Sequence, residues 1–232
     1  MKEGEPMDFC NKPIKSRAKK YKDTVVRCCH HIKGHDGICE EYPFLSHLKS
    51  DDYSVKVAEK IVRDSENTTG AAWKSKKAGP NRAPRWVLLL PDDELETYGL
   101  NMANYEPDVA AKLKEKAASY ELCIEVAIKL TWLAYQMKNS PVPTKSIKNY
   151  LESIHGTMIA TSTVCEICKL QMDFLEFSKA KRGKAKIETC HKDPRLHNSE
   201  NVGFAHRECN IAQGAKTLDE FYEWIEGILS RK

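Results

Sequence analysis

The sequence contains no long apolar run and no apolar segment at its N-terminus. No stretch approaches the ~18 consecutive apolar residues of a membrane-spanning helix, so we expect no membrane span. The first residues, MKEGEPMDFC, lack the apolar centre of a secretory signal. Both absences predict a cytoplasmic protein.

The chain also lacks a strong excess of charge of one sign. Its 232 residues are 41% apolar and 30% charged, and the formal net charge is +4. This composition predicts a folded chain with a sizeable core. The mildly basic balance permits a nucleic-acid partner without establishing one, because local clustering of cations decides such binding.

Cysteine is plentiful, with nine residues in the chain. In a reducing compartment, spaced cysteines act as metal ligands more often than as disulfide partners. Cys123 is an exception, because it lies on the apolar side of a predicted helix. We expect Cys123 to be a small core residue.

Apolar periodicity predicts a mostly helical region before residue 157. Helices are expected at residues 53–64, at 107–138 as one helix or two, and at 144–155. The stretch WVLLL, which ends before Pro91, predicts a buried strand. The turn SPVP fits an ordinary helical hairpin or a DNA-reading helix-turn-helix, and the hairpin is the commoner arrangement.

The C-terminal residues 157–232 are predicted to form a second unit. GTMIATSTV leads as a strand-like segment into Cys165. The stretch TLDEFYEWIEGIL predicts an amphipathic helix that opens with a capping box from Thr217 to Glu220. Its buried side is expected to hold Leu218, Phe221, Tyr222, Ile225 and Leu229. With the mostly helical residues 1–156, this pattern predicts an α+β fold.

Two short motifs in this unit have the spacing of zinc ligands. Cys165 and Cys168 form a Cys-x2-Cys pair, and His206 and Cys209 form a His-x2-Cys pair. Each pair can point two side chains at one ion, and together they supply the four ligands that a tetrahedral zinc site needs. Four protein ligands leave no open position, so the pattern predicts a structural zinc.

The stretch KIETCHKDPRLHNSENVGFAHRECNIAQGAKT, with CEIC before it, resembles the zinc-containing branch of the HNH, or ββα-metal, nuclease family. The likeness runs from about Val164 to Thr217. It implies a β-hairpin followed by a helix, and it places His191, Asn201 and Asn210 at the family's three motif positions. By resemblance, His191 is the general base, Asn201 fixes the intervening loop and Asn210 helps to hold a catalytic Mg²⁺ or Mn²⁺.

One position departs from the family pattern. The residue before the catalytic histidine is commonly a metal ligand, and here it is Cys190. A thiol is a poor ligand for magnesium, so Cys190 binds a softer ion such as manganese, a carboxylate replaces it, or the site is impaired. Glu188 is the best replacement because it lies two residues back on the same strand face, and Asp193 is a weaker one. His197, in the loop, is expected to face solvent.

Two further regions have cations or metal-ligating residues. The stretch WKSKKAGPNRAPRW offers a set of DNA contacts, and its alternative is a solvated loop. Those candidate DNA-binding residues are Lys74, Lys76, Lys77, Arg82 and Arg85. A second zinc site at the N-terminus is an open alternative to a basic arm with incidental thiols. Its candidate ligands are Cys10, Cys28, His35 and Cys39.

The family resemblance leaves the first two-thirds of the chain uncovered, and by family precedent such a region often reads a target sequence. The chain therefore resembles a type II restriction endonuclease, prokaryotic or phage, that cuts double-stranded DNA as a homodimer. The alternatives are a homing or nicking HNH endonuclease and a non-catalytic zinc-dependent DNA-binding protein with a decayed motif. The chain contains no Asp-x-Lys or Glu-x-Lys, which disfavours a nuclease of the PD-(D/E)xK type.

Overall fold

The computed structural model describes residues 12–15, 25–28, 52–68, 83–98, 100–178 and 185–231. Helices and a small antiparallel sheet make up most of this part of the chain, which confirms the predicted α+β class. The loop cations Lys74, Lys76, Lys77 and Arg82 lie outside the described residues, as do Cys10, His35 and Cys39. Among the described residues, no helix is both long and apolar enough to cross a membrane.

The part of the chain before residue 157 contains a two-stranded ladder and several helices. β1 (Lys12–Lys15) pairs antiparallel with β2 (Val25–Cys28). The helices are α1 (Asp52–Glu66), α2 (Asp92–Leu95), α3 (Pro107–Glu115), α4 (Tyr120–Tyr135) and α5 (Lys145–His155). Pro107 occupies the first turn of α3, where its missing N–H has no intrahelical acceptor to lose.

The structure tests two predictions for this region, the number of helices at 107–138 and the strand at WVLLL. The helical stretch expected at 107–138 is two helices, because Ser119 caps α4 by accepting a hydrogen bond of 3.3 Å from the N–H of Leu122. The strand predicted for WVLLL is wrong, since Val87–Leu89 forms a 3₁₀ turn. Val87 and Leu88 are nevertheless buried in a small core cluster with Leu113 of α3. The predicted burial is therefore correct for Val87 and Leu88 and wrong for Leu89, which is 56% exposed.

The C-terminal part carries a β-hairpin followed by a helix. α6 (Phe174–Ser178) precedes β3 (Ile187–His191), which pairs antiparallel with β4 (Val202–His206). α7 (Arg207–Gln213) starts where β4 ends, and α8 (Leu218–Leu229) follows. In the register of the hairpin, Cys190 lies opposite Gly203 and His191 lies opposite Val202.

The terminal helix α8 has the predicted capping box. The side chain of Thr217 accepts from the N–H of Glu220, and the Glu220 carboxylate accepts from the N–H of Thr217. Phe221 is buried, and three further apolar residues of α8 pack partly against the same core: Leu218, Tyr222 and Ile225. Leu229 is 61% exposed, so its predicted burial is wrong.

One apolar core spans the residues before and after position 157. It combines Ile61 of α1 and Ile124 of α4 with Phe177 of α6 and Phe204 of β4. The rings of Phe177 and Phe204 meet edge to face, with centroids 4.9 Å apart. One face of the hairpin is therefore packed against the helices that precede it in the sequence.

Candidate active site and metal centre

The four predicted zinc ligands converge at one point. The ligand atoms of Cys165, Cys168, His206 and Cys209 all lie within 4.8 Å of one another. Tetrahedral coordination with Zn–S bonds of about 2.3 Å requires sulfurs about 3.8 Å apart, so this arrangement and donor set suit zinc. Within the described part of the chain, no other group of three or more His, Cys, Asp or Glu side chains converges in this way.

The first pair of ligands lies in a tight turn. The N–H of Cys165 donates to the carbonyl of Leu170 over 2.8 Å, and the N–H of Lys169 donates to the carbonyl of Cys165 over 3.0 Å. Lys169 adopts a left-handed backbone conformation with φ of 60°, which lets the chain reverse directly after Cys168. The short gap in the sequence thereby presents two thiols to the same side.

The second pair of ligands lies at the junction of β4 and α7. His206 is the N-cap residue of α7, and Cys209 lies in its first turn. The Nδ1 atom of His206 is 3.2 Å from the Sγ atom of Cys168. Burial alone would raise the pKa of the Cys165 thiol, but the N–H groups of Cys168 and His206 that point at its sulfur lower it. A lowered pKa favours the thiolate, which is the form that binds metal.

Asn201 ties together the loop between β3 and β4. Its side-chain oxygen accepts from the N–H of Asp193 over 2.8 Å, and its amide donates to the carbonyls of Asp193 over 2.7 Å and Leu196 over 2.6 Å. Its own carbonyl accepts from the N–H of Lys192 over 2.9 Å. Asn201 is 8% exposed, so these bonds replace those that water would otherwise make.

His191, at the end of β3, is in contact with a second histidine. Its Nε2 atom lies 2.9 Å from Nδ1 of His197, and Nε2 of His197 lies 2.8 Å from the carbonyl oxygen of Ser65 at the end of α1. His197 is 6% exposed, so the expectation that it faces solvent is wrong. The sequence did not indicate that His197 would be buried, because its partner Ser65 lies 132 positions earlier in the chain.

Both imidazoles are surrounded by groups that disfavour protonation. Burial, followed by the nearby cations Arg85 and Lys116, lowers the pKa of His191 to about 3. Burial, followed by Arg85 and His191, lowers the pKa of His197 to about 2. Both rings are therefore neutral at physiological pH, and a neutral imidazole is the form that can accept a proton.

A carboxylate and an amide meet on the helix side of the hairpin. The side-chain amide of Asn210 in α7 lies 3.1 Å from Oε2 of Glu188 in β3. Arg207, at the start of α7, donates to Oε1 of Glu188 over 2.6 Å. The oxygen and nitrogen of an Asn amide are assigned from hydrogen bonding, and a rotated amide would turn its oxygen toward the same point. In this structure the Asn210 amide nitrogen donates to Glu188, so Glu188 offers a carboxylate oxygen and Asn210 would add its amide oxygen after that rotation. Both are hard oxygen donors, the kind that Mg²⁺ and Mn²⁺ bind.

Cys190 is placed differently from these donors. It is 2% exposed and belongs to the main core, and burial raises the pKa of its thiol. A buried neutral thiol is unsuited to bind a hydrated divalent ion, which argues against the manganese alternative at this position. Asp193, the weaker replacement, forms an ion pair of 2.9 Å with Arg195. Cys123 is fully buried in α4, as expected for a small core residue.

Arg85, one of the candidate DNA contacts, is 4% exposed. It donates to the carbonyl of Lys116 over 3.0 Å, and burial lowers its pKa to about 10. Arg85 lies near His191 and His197, and its charge lowers the pKa of both. Because Arg85 is buried in this conformation, a DNA phosphate could not reach it. The sequence did not indicate this, because a cation in a loop is usually exposed.

Two comparisons with known proteins place the chain in a family. A family model described as DraIII matches residues 41–209. A solved structure described as a type II restriction endonuclease is similar, with 48% sequence identity, a TM-score of 0.70, and coverage of 85% of this chain and 89% of that chain. The comparison with functionally curated proteins gave no match. Because the family match spans most of the sequence, this protein belongs to the DraIII family and is a restriction endonuclease, an enzyme that binds and cuts DNA.

Proposed function

We propose that the protein is a metal-dependent type II restriction endonuclease of the HNH, or ββα-metal, class. It hydrolyses phosphodiester bonds of double-stranded DNA at a specific site, with His191 as the general base. The observation that supports the ion-binding part of this proposal is the contact of Glu188 in β3 with Asn210 in α7, the residue that follows Cys209 of the Cys₃His cluster. A β-hairpin followed by a helix, with ligand-type side chains between them, is the arrangement that the motif implies.

His191 is suited to the proton-transfer step of hydrolysis. A phosphodiester is anionic, so the attacking water must lose a proton as its oxygen bonds to phosphorus. The neutral imidazole of His191 takes that proton, the bond from phosphorus to the 3′-oxygen breaks, and the leaving oxygen takes a proton from solvent. The depressed pKa of His191 keeps the ring unprotonated but also makes it a weaker base, so the proposal requires the bound anionic phosphate to raise that pKa.

The divalent ion is assigned to Glu188 and Asn210. An ion held there would supply positive charge to the phosphate oxygens and to the leaving 3′-oxygen. Glu188 replaces the ligand that the family usually places at position 190, because Cys190 is buried in the core. Arg207 shares the Glu188 carboxylate at 2.6 Å and orients it toward α7.

Asn201 and the zinc cluster hold these groups in place. The bonds from Asn201 to Asp193 and Leu196 fix the loop that follows His191. The four-ligand cluster fixes the start of α7, from which Asn210 projects. With four protein ligands a bound zinc would have no open position, so its role would be structural.

Target reading and assembly are assigned to the rest of the chain. Lys74, Lys76, Lys77 and Arg82 are proposed to contact DNA phosphates, which position a protein without specifying a sequence. One active site cuts one strand, so cleavage of both strands of a palindromic site requires two copies. We therefore expect a homodimer on DNA.

Digestion of mixed-sequence plasmid DNA in Mg²⁺ or Mn²⁺, followed by sequencing of the ends, tests the proposal. The wild type is expected to cut at short recurrent sites, and His191→Ala is expected to bind DNA but to cut at least 100-fold more slowly. His155→Ala is the matched control, because His155 packs on the ring of Trp132 instead.

Other outcomes distinguish the alternatives. A single long site, or nicks alone, favours a homing or nicking enzyme. DNA binding without cleavage by the wild type in any divalent ion favours a non-catalytic binding protein. Cleavage by His191→Ala at the wild-type rate contradicts the assignment of the base.

A further inference from the structure

His197 connects the proposed general base to a helix from the other end of the chain. Its Nε2 atom is 2.8 Å from the carbonyl oxygen of Ser65, and its Nδ1 atom is 2.9 Å from Nε2 of His191. Ser65 is fully buried at the end of α1, and its own hydroxyl donates to the carbonyl of Ile61 over 2.7 Å. These contacts form a hydrogen-bonded chain that runs from the backbone carbonyl of Ser65 through His197 to the imidazole of His191.

The Ser65 carbonyl determines which atom donates and which accepts in each of these two hydrogen bonds. A carbonyl oxygen only accepts, so Nε2 of His197 carries a proton and donates it to Ser65. Burial and the nearby Arg85 disfavour a charge on His197, so its ring is neutral and Nδ1 is an acceptor. The Nε2 atom of His191 must then donate to His197, which leaves Nδ1 as the basic nitrogen of His191.

We propose that His197 is a positioning residue that fixes both the tautomer and the ring orientation of His191, so that Nδ1 of His191 is the atom that receives the proton from water. This inference rests on the proposed function and adds to it a residue outside the three motif positions. It acts through His191, because neither ring nitrogen of His197 remains available to a substrate.

The surroundings of His197 support positioning over simple packing. The centroids of the two imidazole rings are 5.3 Å apart with the planes at 42°, so the ring of His191 is restrained by both contact and hydrogen bonding. His197 lies in the loop that Asn201 holds, and it contacts α1 through Ser65. An aromatic ring without nitrogens would fill the same space, but it could not accept from His191.

Two substitutions at position 197 separate these roles. His197→Gln restores a group that can both donate to Ser65 and accept from His191, whereas His197→Phe keeps a buried ring and removes both bonds. With plasmid DNA and Mg²⁺, we expect His197→Phe to lower the single-turnover cleavage rate at least tenfold with DNA affinity unchanged. His197→Gln is expected to retain a rate within about threefold of the wild type, because general-base catalysis, worth roughly 10²–10⁴-fold, is preserved.

A spectroscopic measurement on the wild type tests the same inference without cleavage. Long-range ¹H–¹⁵N correlation spectra of ¹⁵N-histidine-labelled protein show which ring nitrogen carries the proton, and the signals of His191 are identified by their loss in His191→Ala. We expect His191 to carry its proton on Nε2. Should His197→Phe fail to fold, this spectrum and the His197→Gln rate still decide the question.

Three results would overturn the inference. They are a proton on Nδ1 of His191 in the wild type, cleavage by His197→Phe at the wild-type rate, and a loss in His197→Gln as large as that in His197→Phe. The proposed function has its own control. If His191→Ala is inactive while His197→Phe is fully active, only the positioning role fails, and if His191→Ala cuts normally, the assignment of the base itself fails.

Discussion

The hydroxyl of Thr189 donates a hydrogen bond of 3.0 Å to the carboxylate of Asp64, a residue 125 positions earlier in the chain. Asp64 is 7% exposed and pairs with Lys60 at 2.6 Å and with Arg63 at 2.9 Å. Burial would raise the pKa of Asp64, but these two cations lower it, so the carboxylate stays charged. Thr189 lies on the same strand face as His191, two residues away. The end of α1 therefore forms one wall of the site around His191.

This relationship predicts that the nuclease motif does not fold alone. A fragment of residues 157–232 would expose the core side of Phe177, Ile187 and Phe204, all of which are buried in the full chain. Each such side chain is worth about 1.5–3 kcal/mol when buried, a large share of the stability of a small domain. We expect the fragment to give no cooperative melting transition in the presence of zinc, whereas the full chain gives one. A fragment that melts cooperatively would show that the hairpin, α7 and α8 form an autonomous unit.

Removal of a zinc ligand should destabilise the protein strongly. Cys165→Ser is expected to lower the bound zinc by one equivalent per chain and to lower the melting temperature by more than about 10 °C, because binding free energy at such sites is folding free energy. Zinc content and thermal melting measure both effects. Cys123→Ala is the matched control, since Cys123 is buried in α4 outside the cluster. Equal zinc content in Cys165→Ser and the wild type would contradict the assignment.

Substitution of Cys190 should affect stability and leave the metal dependence unchanged. Cys190→Ala removes a buried sulfur and is expected to cost about 1–2 kcal/mol of unfolding free energy. The Mg²⁺ and Mn²⁺ concentrations that give half-maximal cleavage should equal those of the wild type. Glu188→Gln provides the contrast, because it weakens a carboxylate ligand and should raise both concentrations at least tenfold. A selective loss of Mn²⁺-supported cleavage in Cys190→Ala would instead make the thiol a ligand.

The imidazoles of His191 and His197 predict a specific dependence of stability on pH. Their pKa values in the folded state, about 3 for His191 and about 2 for His197, lie below the ordinary histidine value of about 6.5. The unfolded chain therefore binds protons that the folded chain excludes. The stability that these neutral rings contribute is complete above about pH 6.5 and is lost as the pH falls toward the folded values.

The loss per group approaches about 1.4 kcal/mol for each pH unit below the unfolded pKa. Urea denaturation of the wild type between about pH 7.5 and pH 5 should show decreasing stability. His197→Gln, which removes one of the two rings, should show a shallower slope with the same zinc content. Identical slopes for the two proteins would mean that His197 takes up its proton as easily in the folded state as in the unfolded state.

The local features of the chain could be predicted from its amino-acid order. The Cys-x2-Cys and His-x2-Cys spacings, the capping box at Thr217 and the helix start at Pro107 depend on neighbours within a few residues, so a single segment contains the information. The order of His191, Asn201 and Asn210 was sufficient to indicate a nuclease motif, and the family comparisons agree on a restriction endonuclease. The sequence also indicated the burial of Val87 and Leu88, although their backbone conformation was a turn.

Contacts between side chains that are distant in the sequence became known from the folded structure. The contacts of His197 with Ser65 and of Thr189 with Asp64 join segments separated by 132 and 125 positions. The burial of Arg85 and the placement of Cys190 in the core depend on how α1, α3 and the hairpin pack together. A periodic pattern gives the face of an element on which a residue lies, but not what covers that face. The environment that sets the charge of an imidazole or a thiol is made by those distant segments, and it therefore becomes defined only when the chain has folded.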